Sequence, residues 1–148
     1  MFTPTNSSML VSDIMLEPEA FPVLSHRVLL KEALEAMGHS GLGIVCIVDE
    51  EELLLGIITD GDVRRKLLKV QKPFAAFFVD DALMHAIRTP ATITPSRTLI
   101  EGIELMGSKQ IWDLPVVDQS GRLVGLLHLH PAIKAVLGMD PEIDDTGR

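Results

Sequence analysis

The sequence predicts a mixed α/β (α+β) fold in which two pseudo-symmetric copies of one unit, each strand, helix, strand, strand, helix, pack together through their sheets. Three observations carry that prediction. Displacing the 148-residue chain by about 69 positions superposes Gly56-Ile57-Ile58 on Gly125-Leu126-Leu127, Val48-Asp49 on Val117-Asp118 and Met37-Gly38 on Met106-Gly107 without a gap. The same offset pairs Glu32 with Glu101, Glu35 with Glu104, Leu54 with Leu123 and Met15 with Met84, and self-similarity at a fixed period is the signature of a repeated structural unit. Within each copy the apolar residues recur first at helical spacing and then in short continuous runs of strand length. Finally, a copy of roughly 55 to 60 residues is marginal as an independent core, so the two are expected to stabilise one another.

Each copy opens with a short apolar turn, Ile14-Met15 and Leu83-Met84, and a Pro-flanked extended piece, Phe21 to Leu24 and Ala91 to Thr94. Val28, Leu29, Ala33, Leu34, Ala36 and Met37 then fall on one helical face. Ser25 and Thr94 stand where an N-cap is useful, and Gly38 and Gly107 where a helix stops. Strands follow at Ile44 to Val48 and Leu54 to Thr59 around the acidic turn Asp49 to Glu52, and at Leu114 to Val117 and Leu123 to Leu129 around Gln119-Ser120-Gly121. Closing helices run from Asp62 to Leu68 and from Pro131 to Leu137, with Pro131 suited to a first turn. The resulting organisation is an N-terminal segment 1–10 that is disordered or foreign to the domain, repeat one at 11–70, a linker 71–78, repeat two at 79–138 and an acidic tail 139–148. Phe74, Phe77 and Phe78 in the linker must cover a core edge or a partner.

Composition narrows the function. Hydrophobic residues make up 47% of the chain, and 13 basic against 21 acidic side chains leave a net charge of −8. That balance opposes a general nucleic-acid or anionic-membrane surface. The single cysteine, Cys46, excludes an internal disulfide and is expected to be a small buried apolar group. No apolar run approaches the roughly 20 residues of a membrane span, and no signal pattern opens the chain, so a cytoplasmic location is expected. The acidic turn has no general-acid partner, and no Ser-His-Asp or Walker-type string occurs, so a binding module is expected rather than an enzyme.

One local constellation carries chemistry. Thr59 ends an apolar strand and Asp62 lies in the first turn of the next helix, so a hydroxyl and a carboxylate face one cleft. A carboxylate accepts from both hydroxyls of a sugar diol, and exposed backbone N–H groups with the positive helix N-terminus attract phosphate, so Asp60 and Gly61 are counted among the candidate ligand-binding residues. The same spacing also serves helix capping by Asp60 or Asp62. Arg65 lies one turn from Asp62 and is the first choice for an anion contact, whereas Arg64 points sideways; Lys66, Lys69 and Lys72 complete the basic cluster. Copy two has His128 and Pro131 where copy one has Thr59 and Asp62, so one good site is expected per chain. His128 and His130 alternate along a strand, which suits either metal ligation or an anionic ligand end, but no further ligands stand at supporting spacing. Trp112 is expected in the core or an interface.

The paired unit, with Gly56-Ile57-Ile58-Thr59-Asp60-Gly61-Asp62 after one strand and Leu114-Pro115-Val116-Val117-Asp118 in the second copy, resembles a tandem of cystathionine β-synthase (CBS) domains over Val11 to Leu137. Val11 to Met15, Thr59 to Arg65 and Gly125 to His130 are further similar to the CBS pair that ends arabinose 5-phosphate isomerases, whose preceding catalytic domain is absent from this sequence. The resemblance implies a regulatory module in which Thr59 and Asp62 hold a nucleotide's ribose. It also implies a homodimer of flat shape, for which Leu67, Leu68, Ile103 and Met106 offer apolar helical positions, and an isomerase catalytic domain as partner in cis or trans. No cofactor is required. The ligand it implies is the end product of that enzyme's lipopolysaccharide pathway, a cytidine nucleotide joined to an eight-carbon acidic sugar (CMP-Kdo). Its carboxylate would reach the basic and histidine side chains, and its base would be read by backbone around Ala20, Phe21, Pro22 and Val23. An adenine nucleotide, AMP or ATP, is the second choice, and a dimerisation scaffold without ligand the alternative of a different class.

Overall fold

The structure, a computed structural model, describes residues 8–69 and 71–138. Its elements follow in chain order: α1 (Val11–Ile14), a 3-10 turn (Pro18–Ala20), β1 (Val23–Ser25), α2 (Leu30–Ser40), β2 (Ile44–Val48), β3 (Leu54–Thr59) and α3 (Asp60–Lys69). After the junction come α4 (Phe74–Phe78), a second 3-10 turn (Ala82–His85), α5 (Leu99–Lys109), β4 (Asp113–Val117), β5 (Leu123–His128) and α6 (Leu129–Val136). Residues 1–7 of the N-terminal segment expected at 1–10, and the tail expected at 139–148, lie outside the described residues.

The helices run past the glycines expected to stop them. In α2 the chain passes Gly38 and turns only at Gly41, which takes the left-handed conformation at φ 73°; in α5 it passes Gly107 and Gln110 makes the same turn at φ 57°. The N-caps also stand four residues later than expected. Thr98, not Thr94, closes a reciprocal capping box: its Oγ1 accepts from the Glu101 N–H at 3.1 Å, and Glu101 Oε1 accepts from the Thr98 N–H at 3.0 Å. At the matching place in copy one the apolar Leu29 replaces it, and Glu32 alone reaches back, to the Leu29 N–H at 2.7 Å.

Repeat one has a three-stranded sheet in the order β1-β2-β3, with β1 parallel and β3 antiparallel to β2. Repeat two pairs only β4 with β5, and its expected third strand shrinks to a single bridge from Ile93 to Val116. Pro115 explains the loss. In copy one the Cys46 N–H donates to the Pro22 carbonyl at 3.0 Å; Pro115 occupies the equivalent position and has no N–H to give.

The entry segment of each repeat crosses to the other. Leu16 pairs with Leu126 on β5, and Ile87 pairs with Ile57 on β3. Val11 accordingly packs in the core of Leu99, Met106, Leu114, Val116 and Leu127, while Phe77 and Ala82 pack in the core of Leu30, Ala33, Val45, Ile47 and Ile58. Phe77 is the linker aromatic that buries; Phe74 and Phe78 stay exposed. Met106 is a core residue as well, which removes it from the apolar helix positions offered for a dimer. Between the repeats the two sheets meet in a third core of Phe21, Ile44, Cys46, Val48, Ile57, Leu123 and Leu126. Cys46 is fully buried there, and burial, with Asp113 nearby, pushes its thiol up to about 12.

Candidate functional site: the sheet end at Thr59 and Asp62

Strand register fixes which way the site faces. Val45, Ile47 and Ile58 point into the helical core of repeat one, while Ile44, Cys46 and Ile57 belong to the inter-repeat core. Thr59, two residues beyond Ile57 and paired with Ile44, therefore projects on the inter-repeat side at the end of the sheet. Phe21 and Pro22 arrive at the same end from β1, because Val23 pairs with Cys46. The ring of Phe21 is buried between the repeats, and Ala20 beside it is exposed.

At this sheet end the helix begins without a break. Thr59 Oγ1 donates to Asp62 Oδ2 at 2.7 Å and accepts from the Asp62 N–H at 3.2 Å, so the hydroxyl both caps α3 and orients the carboxylate. The other carboxylate oxygen of Asp62 accepts from Arg65 Nη2. Asp62 is 20% exposed and Arg65 61% exposed, so the ion pair is screened and readily exchanged. A diol arriving at Asp62 can displace the guanidinium at small cost and leave it free for an anionic group.

The remaining candidates fall in two places. Asp60 and Arg64 turn toward a separate groove with Leu34, Val63, Leu67, Leu68 and Phe74, on another side of α3. Asp60 sits against Gly43: a Cβ on Gly43 would lie 2.9 Å from Asp60 Oδ2, so only glycine fits beside that carboxylate. Gly61 faces the guanidinium of Arg65, whose nearest nitrogen is 3.4 Å from the point where its Cβ would stand.

Copy two fills the equivalent end differently. His128 ends β5 and its Nδ1 lies 2.7 Å from Oδ1 of Asp113, a side chain only 11% exposed. His130 does not share the strand with it, contrary to the expected alternation, because α6 starts at Leu129 and places His130 in its first turn. No group of three or more metal-ligating side chains occurs among the described residues. Trp112, at the position of Gly43, is 71% exposed and does not enter the core.

Sequence reading missed His85 and Asp113. Each is a polar residue at a place where the other copy carries Leu16 or Ile44, and that substitution across the repeat was the available signal.

Comparison with known proteins agrees with this architecture. The family model described as "CBS domain" matches residues 11–69 and 79–137. An arabinose 5-phosphate isomerase GutQ of Salmonella typhi is 27% identical over 128 residues, which cover 84% of this chain and 37% of that protein. The chain spans about two fifths of the length of the curated relatives it matches. Among solved structures, CBSX2 in complex with AMP superposes with a TM-score of 0.77 at 22% identity, covering 88% of this chain and 97% of that one. A CBS domain pair in complex with 5′-methylthioadenosine and S-adenosyl-L-methionine superposes at 0.68 with 26% identity, covering 88% and 96%.

Proposed function

This chain belongs to the CBS domain family, as a tandem pair, and from that premise we propose that it is a non-catalytic regulatory module that binds a nucleotide at the Thr59–Asp62 end of its first repeat. The observation that carries the reading is the preset Asp62 carboxylate, oriented by Thr59 and held by an exchangeable Arg65. Ribose hydroxyls take the place of the guanidinium, and the base lies toward Ala20 to Val23, where backbone groups read it. A permissive backbone readout and the adenosine ligands of the two solved CBS pairs favour an adenine nucleotide. The second reading is CMP-Kdo, favoured by the likeness to GutQ and by the anion-binding potential of Arg65. In that reading the module regulates a sugar-phosphate isomerase domain, in cis or trans, and pairs with a second copy through the exposed Leu68 face.

Thermal denaturation with AMP, ATP and CMP-Kdo tests the reading. A ligand at 100 times its dissociation constant stabilises by about 2.7 kcal/mol, and Asp62→Ala, which opens no core cavity, is expected to lose that stabilisation while keeping its circular dichroism spectrum. Equal shifts for wild type and variant would remove the ribose from Asp62. No shift with any of the three leaves the dimerisation scaffold as the reading, and CMP-Kdo at least about tenfold tighter than AMP and ATP favours the isomerase pathway.

A further inference from the structure

The two closing helices are held by different means. In repeat two, α6 buries Ala132 and Ala135 and packs directly against α5, α1 and β5. In repeat one, α3 has no buried residue, and its main contact is with β3. Val63 and Leu67 reach the core of that repeat only as partly buried side chains. The 69-position offset gives the reason. Val63 and Lys66 stand where α6 has Ala132 and Ala135, and Asp80 stands where α1 has Val11. In repeat two those three residues share one apolar core. A lysine cannot enter such a core unpaired, and Asp80 is engaged by Lys72 instead.

The mismatch leaves open space on both flanks of α3. One cavity, of about 440 Å³, is lined by Asp62, Arg65, Lys66 and Lys69 on the helix and by His85, Ala86 and Ile87 on the crossing segment. A second, of about 380 Å³, is lined by Val63, Leu67 and Leu68 and by Leu34 on α2 and Phe74 on α4. The residues equivalent to Leu34 and Leu67 are Ile103 and Val136, and in repeat two both pack against a common core. The crossing segment is firmly seated: Ile87 exchanges two backbone hydrogen bonds with Ile57, at 2.8 and 3.0 Å, and the Ala82 N–H donates to the Val28 carbonyl at 2.9 Å. Movement is therefore left to the helix. His85 adds a bias, because its Nδ1 is buried without a hydrogen-bond partner, and such an atom favours a state in which water reaches it.

We infer that α3 is the moving element of this domain: from Arg64 to Lys69 it leaves the body of repeat one and returns as a unit, while the rest of the chain, α6 included, stays folded. Its first turn is the fixed end, tied by the Asp62 N–H to the Thr59 hydroxyl at 3.2 Å and by the Asp60 N–H to the Gly43 carbonyl at 3.0 Å. Local opening of this kind is expected of an element that buries little while its neighbours bury much. The twin helices thus divide the work. The helix of repeat two closes a core, and that of repeat one is free to carry a change from the sheet end at Thr59 to the surface at Arg64 and Leu68. The inference needs no ligand, so it stands or falls apart from the ribose reading.

Amide hydrogen exchange on the full chain without ligand, followed residue by residue by NMR, tests this by comparing Arg64 to Lys69 with the equivalent positions Ile133 to Leu137. The α3 amides are expected to be at least about a hundredfold less protected than those of α6, which open only with the whole domain. Lys66→Ala gives α3 the residue that α6 has at this place and is expected to raise protection from Arg64 to Lys69 by about tenfold, with no matching rise in α6. Lys69→Ala, at an exposed position, brings the same gain in helix propensity and is expected to change protection less than about twofold. Equal protection in the two helices, or loss of α3 protection in urea only together with the rest of the chain, would overturn the inference. A gain from Lys69→Ala as large as that from Lys66→Ala would overturn the packing mismatch as its cause.

Discussion

The two repeats share a backbone plan and differ at the ends of their sheets. In repeat one, Thr59 and Asp62, beside Gly43 and the buried Ile44, form a small, partly exposed polar step with an exchangeable Arg65 on it. In repeat two the same positions are Trp112, Asp113, His128 and Pro131, and the polar atoms there satisfy one another through the Asp113–His128 pair. Pro131 offers no side-chain acceptor at all. The difference teaches that duplication secures the scaffold, whereas each copy is free to keep its polar groups for a ligand or to use them internally. What the copies hold in common bears on stability, and what they do not share bears on binding.

The largest expected effect lies in a shared feature. Gly56 and Gly125 sit where the entry segment of the other repeat crosses the sheet. A Cβ on Gly56 would meet the Ile87 carbonyl oxygen at 2.9 Å and Ala86 Cβ at 3.0 Å; on Gly125 it would meet Met15 Sδ at 2.5 Å and the Leu16 carbonyl oxygen at 2.9 Å. Overpacking of this kind costs about 1–3 kcal/mol, and more where the neighbours are rigid. Gly56→Val is expected to cost more than Gly125→Val, since Met15 is flexible and Ala86 is not. Urea denaturation monitored by circular dichroism reads both. A reversed order, or no loss in either, would mean that the crossings yield freely and the two sheets are less interlocked than their pairing indicates.

A smaller effect separates the two sheet ends. His128→Ala strips a low-exposure carboxylate of its hydrogen-bond partner and is expected to destabilise by about 1–2 kcal/mol with no change in nucleotide affinity. Thr59→Ala removes a cap and is expected to cost about 1 kcal/mol of stability, but to weaken nucleotide binding as well, because Asp62 loses the group that orients it. Denaturation and calorimetry on both variants sharpen the contrast. If His128→Ala impaired binding and Thr59→Ala did not, the assignment of the ligand to repeat one would be reversed.

Much of this was legible in the sequence because the duplication writes each element twice. The offset located the helices and hairpins of both copies, strand alternation with helical spacing assigned their faces, and Thr59 and Asp62 were legible from their place at a strand end and in the first turn of the next helix. The helix ends were not legible, since Gly38 and Gly107 are compatible with a stop and only the tertiary position of Gly41 and Gln110 decides where the chain turns. The missing third strand was half legible: Pro115 was visible, but its consequence appears only once β1 is known to receive a hydrogen bond from Cys46. The crossing of entry segments and the cavity beside His85 could not be read, for both depend on residues far apart in the chain, brought together by the pairing of Ile87 with Ile57.

The smallest expected effect tests how differently the two crossings are anchored. The segment that crosses onto repeat one carries Asp80, which accepts from Lys72 Nζ and lies within hydrogen-bond distance of His85 Nε2, both at 2.8 Å; the matching residue in the other crossing is the apolar Val11. The Lys72 hydrogen bond first, and His85 second, hold the Asp80 carboxyl below its ordinary value of 3.8. A carboxylate depressed in the folded state binds its proton more readily when unfolded, so its stabilisation is present above the ordinary value and drains away as the pH falls toward the native one. Acidification from neutral is therefore expected to loosen the crossing onto repeat one before the crossing onto repeat two. Hydrogen exchange resolves the two: amides of Ala82 and Ile87 should lose protection at higher pH than those of Val11 and Leu16. Lys72→Met should move the loss at Ala82 and Ile87 upward in pH and leave Val11 and Leu16 unaffected. Simultaneous loss at all four positions would show that the crossings open as one cooperative unit, and that the charged anchor of the first repeat adds nothing local to the apolar anchor of the second.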